Sequence, residues 1–85
     1  AVDLFERLAP DAVVLVADAG LGTINAVVLS AAPFVERGRP PVVILNRFDA
    51  TVDLHRRNRD WLRDRSGLDV VTDPEALAAH LAAAR

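Results

Sequence analysis

The sequence contains no cysteine, lysine, tyrosine or methionine. Without cysteine there can be no disulfide bond, thiolate metal ligand or thiol nucleophile. Without lysine, these 85 residues cannot contain a phosphate-binding loop of the G-x-x-x-x-G-K-[ST] type. We find no signal-peptide pattern in these 85 residues, and no apolar run approaches the ~18–20 residues that a transmembrane helix requires. We therefore expect a cytoplasmic protein that has no membrane partner.

The charge and hydrophobicity of the chain define its broad class. Hydrophobic residues make up 52% of the sequence, which predicts a buried core rather than disorder. The net charge is −2 and all 10 basic residues are arginine, so nucleic-acid binding is not expected. A chain of this length buries only ~60% of its unfolded surface and should favour a partner. We expect residues 1–85 to form a single domain or a fragment of one.

Three segments are predicted as β-strands: Ala12–Ala17, Pro41–Leu45 and the short segment Leu68–Val71. The first two are continuous apolar runs. Unbroken apolar runs, as opposed to alternating ones, are typical of strands that are buried on both faces, as in a parallel sheet.

Four helices are predicted from the spacing of apolar residues and from terminal signals. The first spans Asp3 to Leu8 and is closed by Pro10. The second begins at Thr23 as the N-cap and runs to about Arg37, and Pro33 is expected to bend or end it.

The third predicted helix runs from about Val52 to Arg65, with Thr51 or Asp53 as its cap. Its expected buried side chains are Leu54, Trp61 and Leu62. The fourth helix begins at Asp73-Pro74-Glu75, an acidic cap followed by proline at the first helical position. Glycines are expected to terminate the second and third helices, at Gly38 and Gly67.

Alternation of these elements indicates the α/β class. The predicted order is α-β-α-β-α-β-α, which implies a parallel sheet of about three strands with helices on both faces. Ligands of such sheets bind at the carboxyl ends of the strands. Three segments follow strands here and should meet at one edge of the sheet: Asp18–Asn25, Asn46–Asp49 and Thr72–Glu75.

The first of these segments contains Gly20-Leu21-Gly22-Thr23-Ile24-Asn25. A glycine turn that leads into a helix presents main-chain N–H groups and partial positive charge, which suit an anion. We expect the lack of a Cβ atom at Gly22 to let a ligand approach the main chain. The alternative is that the glycines and Thr23 only reverse the chain.

The second segment is Asn46-Arg47-Phe48-Asp49. The side-chain amide of Asn46 could donate to and accept from a base edge. The tetrapeptide also resembles the N-K-x-D element of GTPases, so guanine binding through Asn46 and Asp49 is one alternative. An Asx-type turn that closes the strand is another.

The other polar residues favour structural interpretations. Asp18 is interpreted as a turn or capping residue rather than a magnesium ligand. His55 and His80 lack the spacing of metal ligands, so we predict surface positions for them and no metal site in this chain. The run from Arg56 to Arg59 is interpreted as a solvated helix face, with anion steering as the alternative.

Two segments together resemble a known family. Val14–Asn25, which reads VLVADAGLGTIN, is followed by a helix and then by Val42–Asn46, which reads VVILN. These segments resemble the C-terminal half of dethiobiotin synthases, which belong to the P-loop nucleotide-binding class with its three-layer α/β fold. The resemblance covers essentially residues 1–71, and Leu-Gly-Thr-Ile-Asn is its most specific element.

The resemblance implies an activity in biotin biosynthesis. Enzymes of this family are homodimers that use ATP and Mg²⁺ to close a ureido ring. CO₂ adds to one amine of 7,8-diaminopelargonate to give a carbamate, ATP phosphorylates the carbamate, and the second amine displaces phosphate. The P-loop, the lysines that contact phosphate and an acidic magnesium ligand belong to the N-terminal half of these enzymes, so this chain alone should not turn over.

The resemblance also implies roles for particular residues. Gly22, Thr23, Ile24 and Asn25 would hold the substrate carboxylate across a dimer, and Asn46 would contact adenine. Residues near Thr72–Glu75 would flank the adenine. No catalytic residue and no metal ligand is expected in this chain, whose partner would be a second copy or a separate N-terminal half.

A non-catalytic α/β remnant, which serves dimerisation or partner binding, is the alternative function. Ala26 favours it, because family members commonly have histidine at that position. The divergence of the sequence beyond Val71 favours it as well.

Overall fold

The computed structural model describes residues 2–6 and 13–83, with the main chain alone described for 2–6. The described elements are four strands and three helices. In chain order they are β1 (Val2–Glu6), β2 (Val13–Asp18), α1 (Thr23–Glu36), β3 (Val42–Asn46), α2 (Asp53–Asp64), β4 (Asp69–Val71) and α3 (Pro74–Ala83).

One sheet contains the four strands in the order β1-β2-β3-β4. The three strands predicted from sequence are all present and run parallel, with Val14 opposite Val42 and Val43 opposite Val70. The predicted α/β class and the parallel three-stranded core of the sheet are confirmed.

The first predicted element is wrong. Residues from Val2 to Glu6 form a strand, where a helix was expected from Asp3 to Leu8. This strand pairs antiparallel with β2, with Val2 opposite Ala17 and Glu6 opposite Val13. Pairing with the next strand supplies main-chain hydrogen bonds, which helix propensity within residues 3–8 does not take into account. The end of the predicted helix and Pro10 lie outside the described residues.

Helices cover both faces of the sheet. On one face, α1 and α2 pack against the sheet through a cluster that includes Leu15, Val27, Leu45 and Leu62. On the other face, α3 contributes Leu77 and Leu81, which pack near Val14 and Ile44. Because the central strands are buried from both sides, their sequences are continuous apolar runs.

Three helix ends follow the predicted signals, but the N-cap residue of α2 is Val52 and not the predicted Thr51 or Asp53. The Ala76 amide donates to the Asp73 side chain at 2.7 Å, which confirms the acidic cap of α3. Gly38 and Gly67 adopt positive φ angles of 74° and 70° just beyond α1 and α2, as expected of terminating glycines. α1 continues past Pro33 and ends at Glu36, next to the predicted end at Arg37.

The buried face of α2 differs from the prediction. Leu62 is fully buried, but Trp61 and Leu54 remain 39% and 38% exposed. Asn58 is buried instead, at 5% exposure, because Asn58 and Leu62 lie four residues apart on the face that meets the sheet. Among the described residues, no helix has the length and apolar character needed to cross a membrane.

Candidate functional site

The carboxyl edge of the sheet brings the predicted segments together. Asp18 and Asn46, the last residues of β2 and β3, lie opposite each other, and the Ala19 amide donates to the Asn46 carbonyl at 3.1 Å. Val71 ends β4 opposite Ile44, so the third segment starts at the same edge. The predicted convergence on one edge is confirmed.

The turn between β2 and α1, residues Asp18–Thr23, is called the glycine turn below. Gly22 adopts a left-handed conformation with a φ angle of 83° and is the N-cap residue of α1. Thr23 is the first helical residue, and its hydroxyl donates to the Asp18 carbonyl. The prediction of Thr23 as the N-cap is therefore wrong: its hydroxyl turns back toward the strand and makes no capping bond to the helix.

Asn58 of α2 also holds the glycine turn. Its Nδ2 group donates to the Ala19 carbonyl at 2.9 Å and to the Gly20 carbonyl at 2.8 Å. Sequence reasoning placed Asn58 on a solvated face with its arginine neighbours. The available signal was an asparagine four residues before the buried Leu62, since that spacing places both on the same side of the helix.

The glycine turn is open to solvent. Leu21 is 93% exposed, Gly22 and Asn25 are exposed, and Ile24 is half-buried. A Cβ atom added at Gly22 would meet nothing within 4 Å. Glycine is therefore required at this position by the left-handed φ angle and not by crowding from neighbouring atoms.

Two main-chain N–H groups at the start of α1 are available to a ligand. The first helical bond runs from the Ala26 amide to the Gly22 carbonyl at 3.2 Å. Within residues 13–83, no acceptor contacts the amides of Ile24 or Asn25. The Thr23 amide points to the Gly20 carbonyl at 3.4 Å, and the Thr23 hydroxyl donates to the Asp18 carbonyl. Both donors of Thr23 are therefore directed into the turn. Of the four predicted substrate residues, Thr23 therefore shapes the turn while Ile24 and Asn25 present free donors.

The loop after β3, residues Asn46–Val52, is called the asparagine loop below. Asn46 is exposed and Arg47 takes a left-handed φ angle of 58° where the chain leaves the strand. The Asp49 carboxylate accepts hydrogen bonds from the Thr51 amide at 2.9 Å and from its hydroxyl at 2.6 Å. These bonds, the hydroxyl bond first, lower the pKa of the Asp49 carboxyl below 3.8. Asp49 thus forms the Asx-type turn that was one of the alternatives.

Side chains of α2 brace the asparagine loop. The Asp49 amide donates to Nδ1 of His55 at 2.9 Å, so His55 has a structural partner. The Arg59 guanidinium lies 5.2 Å from the centre of the Phe48 ring. Arg56 donates to the Ala50 carbonyl and pairs with Asp53 at 3.0 Å. The arginines on this side of α2 therefore bind the loop and their own helix.

The side chains at this edge do not match the needs of Mg²⁺. Over the described residues, no group of three histidine, cysteine, aspartate or glutamate side chains could hold a metal ion. Mg²⁺ is held by oxygen ligands in octahedral geometry, usually carboxylates together with substrate phosphates. The exposed amide of Asn46 could contact an adenine edge, but the residues described here could not hold the metal.

Comparisons with known proteins identify no relative. No family model matches the chain, and searches of curated proteins and of solved structures return no match. What the structure defines is the class: a small α/β domain with an open glycine turn and an exposed asparagine on one sheet edge.

Proposed function

We propose that this edge binds the carboxylate of 7,8-diaminopelargonate and the adenine of ATP, as part of a dethiobiotin synthase-type ligase. One observation carries the proposal. The glycine turn is exposed, and it lies on the same sheet edge as Asn46, to which it is hydrogen-bonded through Ala19. A carboxylate at the turn and a base at Asn46 would then occupy neighbouring positions.

The physical chemistry of the turn supports a carboxylate as its ligand. The free amides of Ile24 and Asn25 point out of the positive end of α1, and no acidic residue lies in the first turn of that helix. The exposed Leu21 adds apolar surface at the tip of the turn. An aliphatic chain that ends in a carboxylate has both of the features that these groups would contact.

The proposed role of this chain is to bind and orient the substrate. Phosphoryl transfer requires positioned cations that neutralise charge on the phosphates. The chain has no lysine, and its described residues lack a magnesium ligand set. In this proposal those groups come from a P-loop-bearing N-terminal half, and the assembled enzyme is a homodimer that uses ATP and Mg²⁺.

Substrate binding can be tested by NMR on the ¹⁵N-labelled chain. Titration with 7,8-diaminopelargonate should shift the amide signals of Gly22, Ile24 and Asn25. We expect a Kd of about 1 mM, which corresponds to about 4 kcal/mol. The matched control ligand is the carboxamide of the same molecule, which has no negative charge and should leave these signals in place. Equal shifts with both ligands would contradict a carboxylate site.

The nucleotide half of the proposal has a separate test. ATP should shift the signals of Asn46 and Arg47 and leave those of Asn25 unchanged, whereas GTP should do neither. Mixing the chain with a matching P-loop half should then give ATP-dependent formation of dethiobiotin. Failure of that pair to bind diaminopelargonate would count against the proposal, and a preference for GTP would favour the guanine alternative.

A second function, as a dimerisation or partner-binding module, is favoured by the outer face of α1. Leu29 is 76% exposed and Val35 48% exposed on this helix. A groove of about 370 Å³ lies beside them, lined by Val28, Ala31, Ala32, Val35, Glu36, Ser66 and Leu68. Neighbouring exposed apolar side chains of this kind are typical of interaction surfaces.

Light scattering of the chain at increasing concentration tests whether this face associates, and ligand titrations then separate the two functions, since the proposed enzyme is also a homodimer. If self-association occurs through this face, Leu29→Asp should shift the chain toward the monomer. Ala79→Asp, which makes the same charge change on an exposed position of α3, should have no effect. A stable dimer with flat titrations for both ATP and diaminopelargonate would select the non-catalytic function.

A further inference from the structure

Two buried polar side chains occur within residues 13–83, and both hold the glycine turn. Thr23 is 6% exposed and Asn58 is 5% exposed. The Thr23 hydroxyl donates to the Asp18 carbonyl, and the Asn58 amide donates to the carbonyls of Ala19 and Gly20. The three consecutive carbonyl groups of Asp18, Ala19 and Gly20 therefore each accept a hydrogen bond from one of these buried side chains.

Asn58 reaches the turn from a distant part of the chain. It lies 39 residues from Ala19 and 38 residues from Gly20 in sequence. Carbonyl oxygens only accept hydrogen bonds, so the side-chain atom that faces both of them must be the NH₂ group. Its two N–H bonds match the two acceptors, and no buried side-chain nitrogen or oxygen within the described part of the chain lacks a partner.

The position of these carbonyls sets the direction of the neighbouring amides. In a planar trans peptide the C=O and N–H bonds point in opposite directions. With the carbonyls of Ala19 and Gly20 turned toward α2, the amides of Gly20 and Leu21 point away from it. A carbonyl on the solvent side would repel a carboxylate, whereas an amide attracts it.

We infer that Asn58 is a positioning residue for the glycine turn. Its hydrogen bonds keep the carbonyl oxygens of Ala19 and Gly20 directed toward α2. The turn is thereby held, before any ligand binds, in a conformation whose main-chain N–H groups face the ligand. The link to a carboxylate ligand rests on the proposed function, but the effect on the turn can be measured without a ligand.

Glycine at positions 20 and 22 makes such an external restraint necessary. Glycine has more accessible backbone conformations than any other residue, so a turn with two glycines is ordered only if other groups hold it. Ordering a flexible turn at the moment of binding lowers affinity. An asparagine that orders the turn beforehand removes that loss.

The test compares Asn58→Leu with Leu62→Val. Leucine has the same branched shape as asparagine but cannot donate, while Leu62→Val removes one methylene from the same buried face of the helix and none of the hydrogen bonds to the turn. Backbone ¹⁵N relaxation should show Gly20, Leu21 and Gly22 as rigid in the unmodified chain, with order parameters of about 0.85. We expect values below about 0.6 in Asn58→Leu and unchanged values in Leu62→Val.

Binding of 7,8-diaminopelargonate, followed by NMR, is the second measurement. We expect about tenfold weaker binding in Asn58→Leu and unchanged binding in Leu62→Val, when both are compared at a temperature where each is folded. An ordered turn in Asn58→Leu would overturn the inference. The inference would also be overturned if affinity fell in proportion to thermal stability, and in the same proportion, in Asn58→Leu and Leu62→Val.

Failure of the proposed function would be visible separately. If the unmodified chain binds no diaminopelargonate while Asn58→Leu loosens the turn, the positioning role of Asn58 is supported and the carboxylate ligand is refuted. If Asn58→Leu has no stable fold, Asn58→Ser, which keeps one donor, takes its place. Asn58→Ser should give an order parameter at Gly20 between those expected for the unmodified chain and for a fully released turn. An order parameter equal to that of the unmodified chain would overturn the inference.

Discussion

The glycine turn and the asparagine loop each follow a parallel strand and are each held by α2, but by different kinds of contact. Buried hydrogen bonds from Asn58 and Thr23 hold the glycine turn. Exposed contacts hold the asparagine loop, among them the bonds between Asp49 and Thr51. A buried group that loses its hydrogen-bond partner cannot bond to water instead. The same chemical change should therefore have a much larger effect on stability at the glycine turn than at the asparagine loop.

The largest expected effect is that of Asn58→Asp. The variant replaces two donors with a carboxylate that faces two carbonyl oxygens in a buried position. We expect the free energy of unfolding to fall by about 3 kcal/mol in urea denaturation at neutral pH.

The matched control is Arg57→Gln on the adjacent, exposed residue. It makes the same change of one unit in net charge and breaks only an exposed ion pair of 3.5 Å with Asp53. Its effect should stay within about 0.5 kcal/mol. Equal effects of the two substitutions would mean that the buried bonds to the turn contribute no more than surface contacts.

An intermediate effect is expected for Gly22→Ala. The φ angle of 83° is unfavourable for any residue with a Cβ atom, so we expect a loss of about 1 kcal/mol. Gly20→Ala is the control within the same turn, since its φ angle is not positive and an added Cβ would meet nothing within 4 Å. Thermal unfolding of both variants measures the difference, and a larger loss at Gly20 would contradict the described geometry.

The smallest expected effect lies in the asparagine loop and concerns the pKa of Asp49. Hydrogen bonds from Thr51 lower this pKa below 3.8 in the folded chain. A lowered pKa means that the stabilising contribution is present above pH 3.8 and is lost as the pH falls through the folded value. Thr51→Val removes the hydroxyl bond and should move the pKa upward.

Carboxyl ¹³C NMR titration from about pH 2 to pH 6 measures this change. Asp60 is the internal reference, because its pKa is lowered by Arg59 and should not respond to Thr51→Val. An unchanged pKa of Asp49 in Thr51→Val would show that water replaces the exposed Thr51 hydroxyl as a donor with no effect on this pKa.

Much of the fold could be predicted because its signals are local. The apolar runs of β2 and β3, the acidic cap at Asp73 and the terminating glycines each depend on a few neighbouring residues. The convergence of Asp18 and Asn46 on one edge followed from the rule for parallel strands.

What failed depended on contacts between separate elements of secondary structure. Val2–Glu6 forms a strand because β2 provides a pairing partner, and the local sequence contains no information about that partner. Trp61 was expected in the core because of its spacing from Leu54 and Leu62, but the orientation of α2 places Asn58 and Leu62 against the sheet.

The sequence by itself determined which chemical groups these 85 residues contain. An all-arginine set of cations and the absence of cysteine follow from composition, and the position of two glycines before a helix follows from residue order. Only the tertiary structure decided that Thr23 turns back to Asp18 and that Asn58 holds the carbonyls of Ala19 and Gly20. The physical reason is that a buried hydrogen bond requires both partners at a defined distance, and 38 residues of chain separate these two until the sheet and α2 pack together.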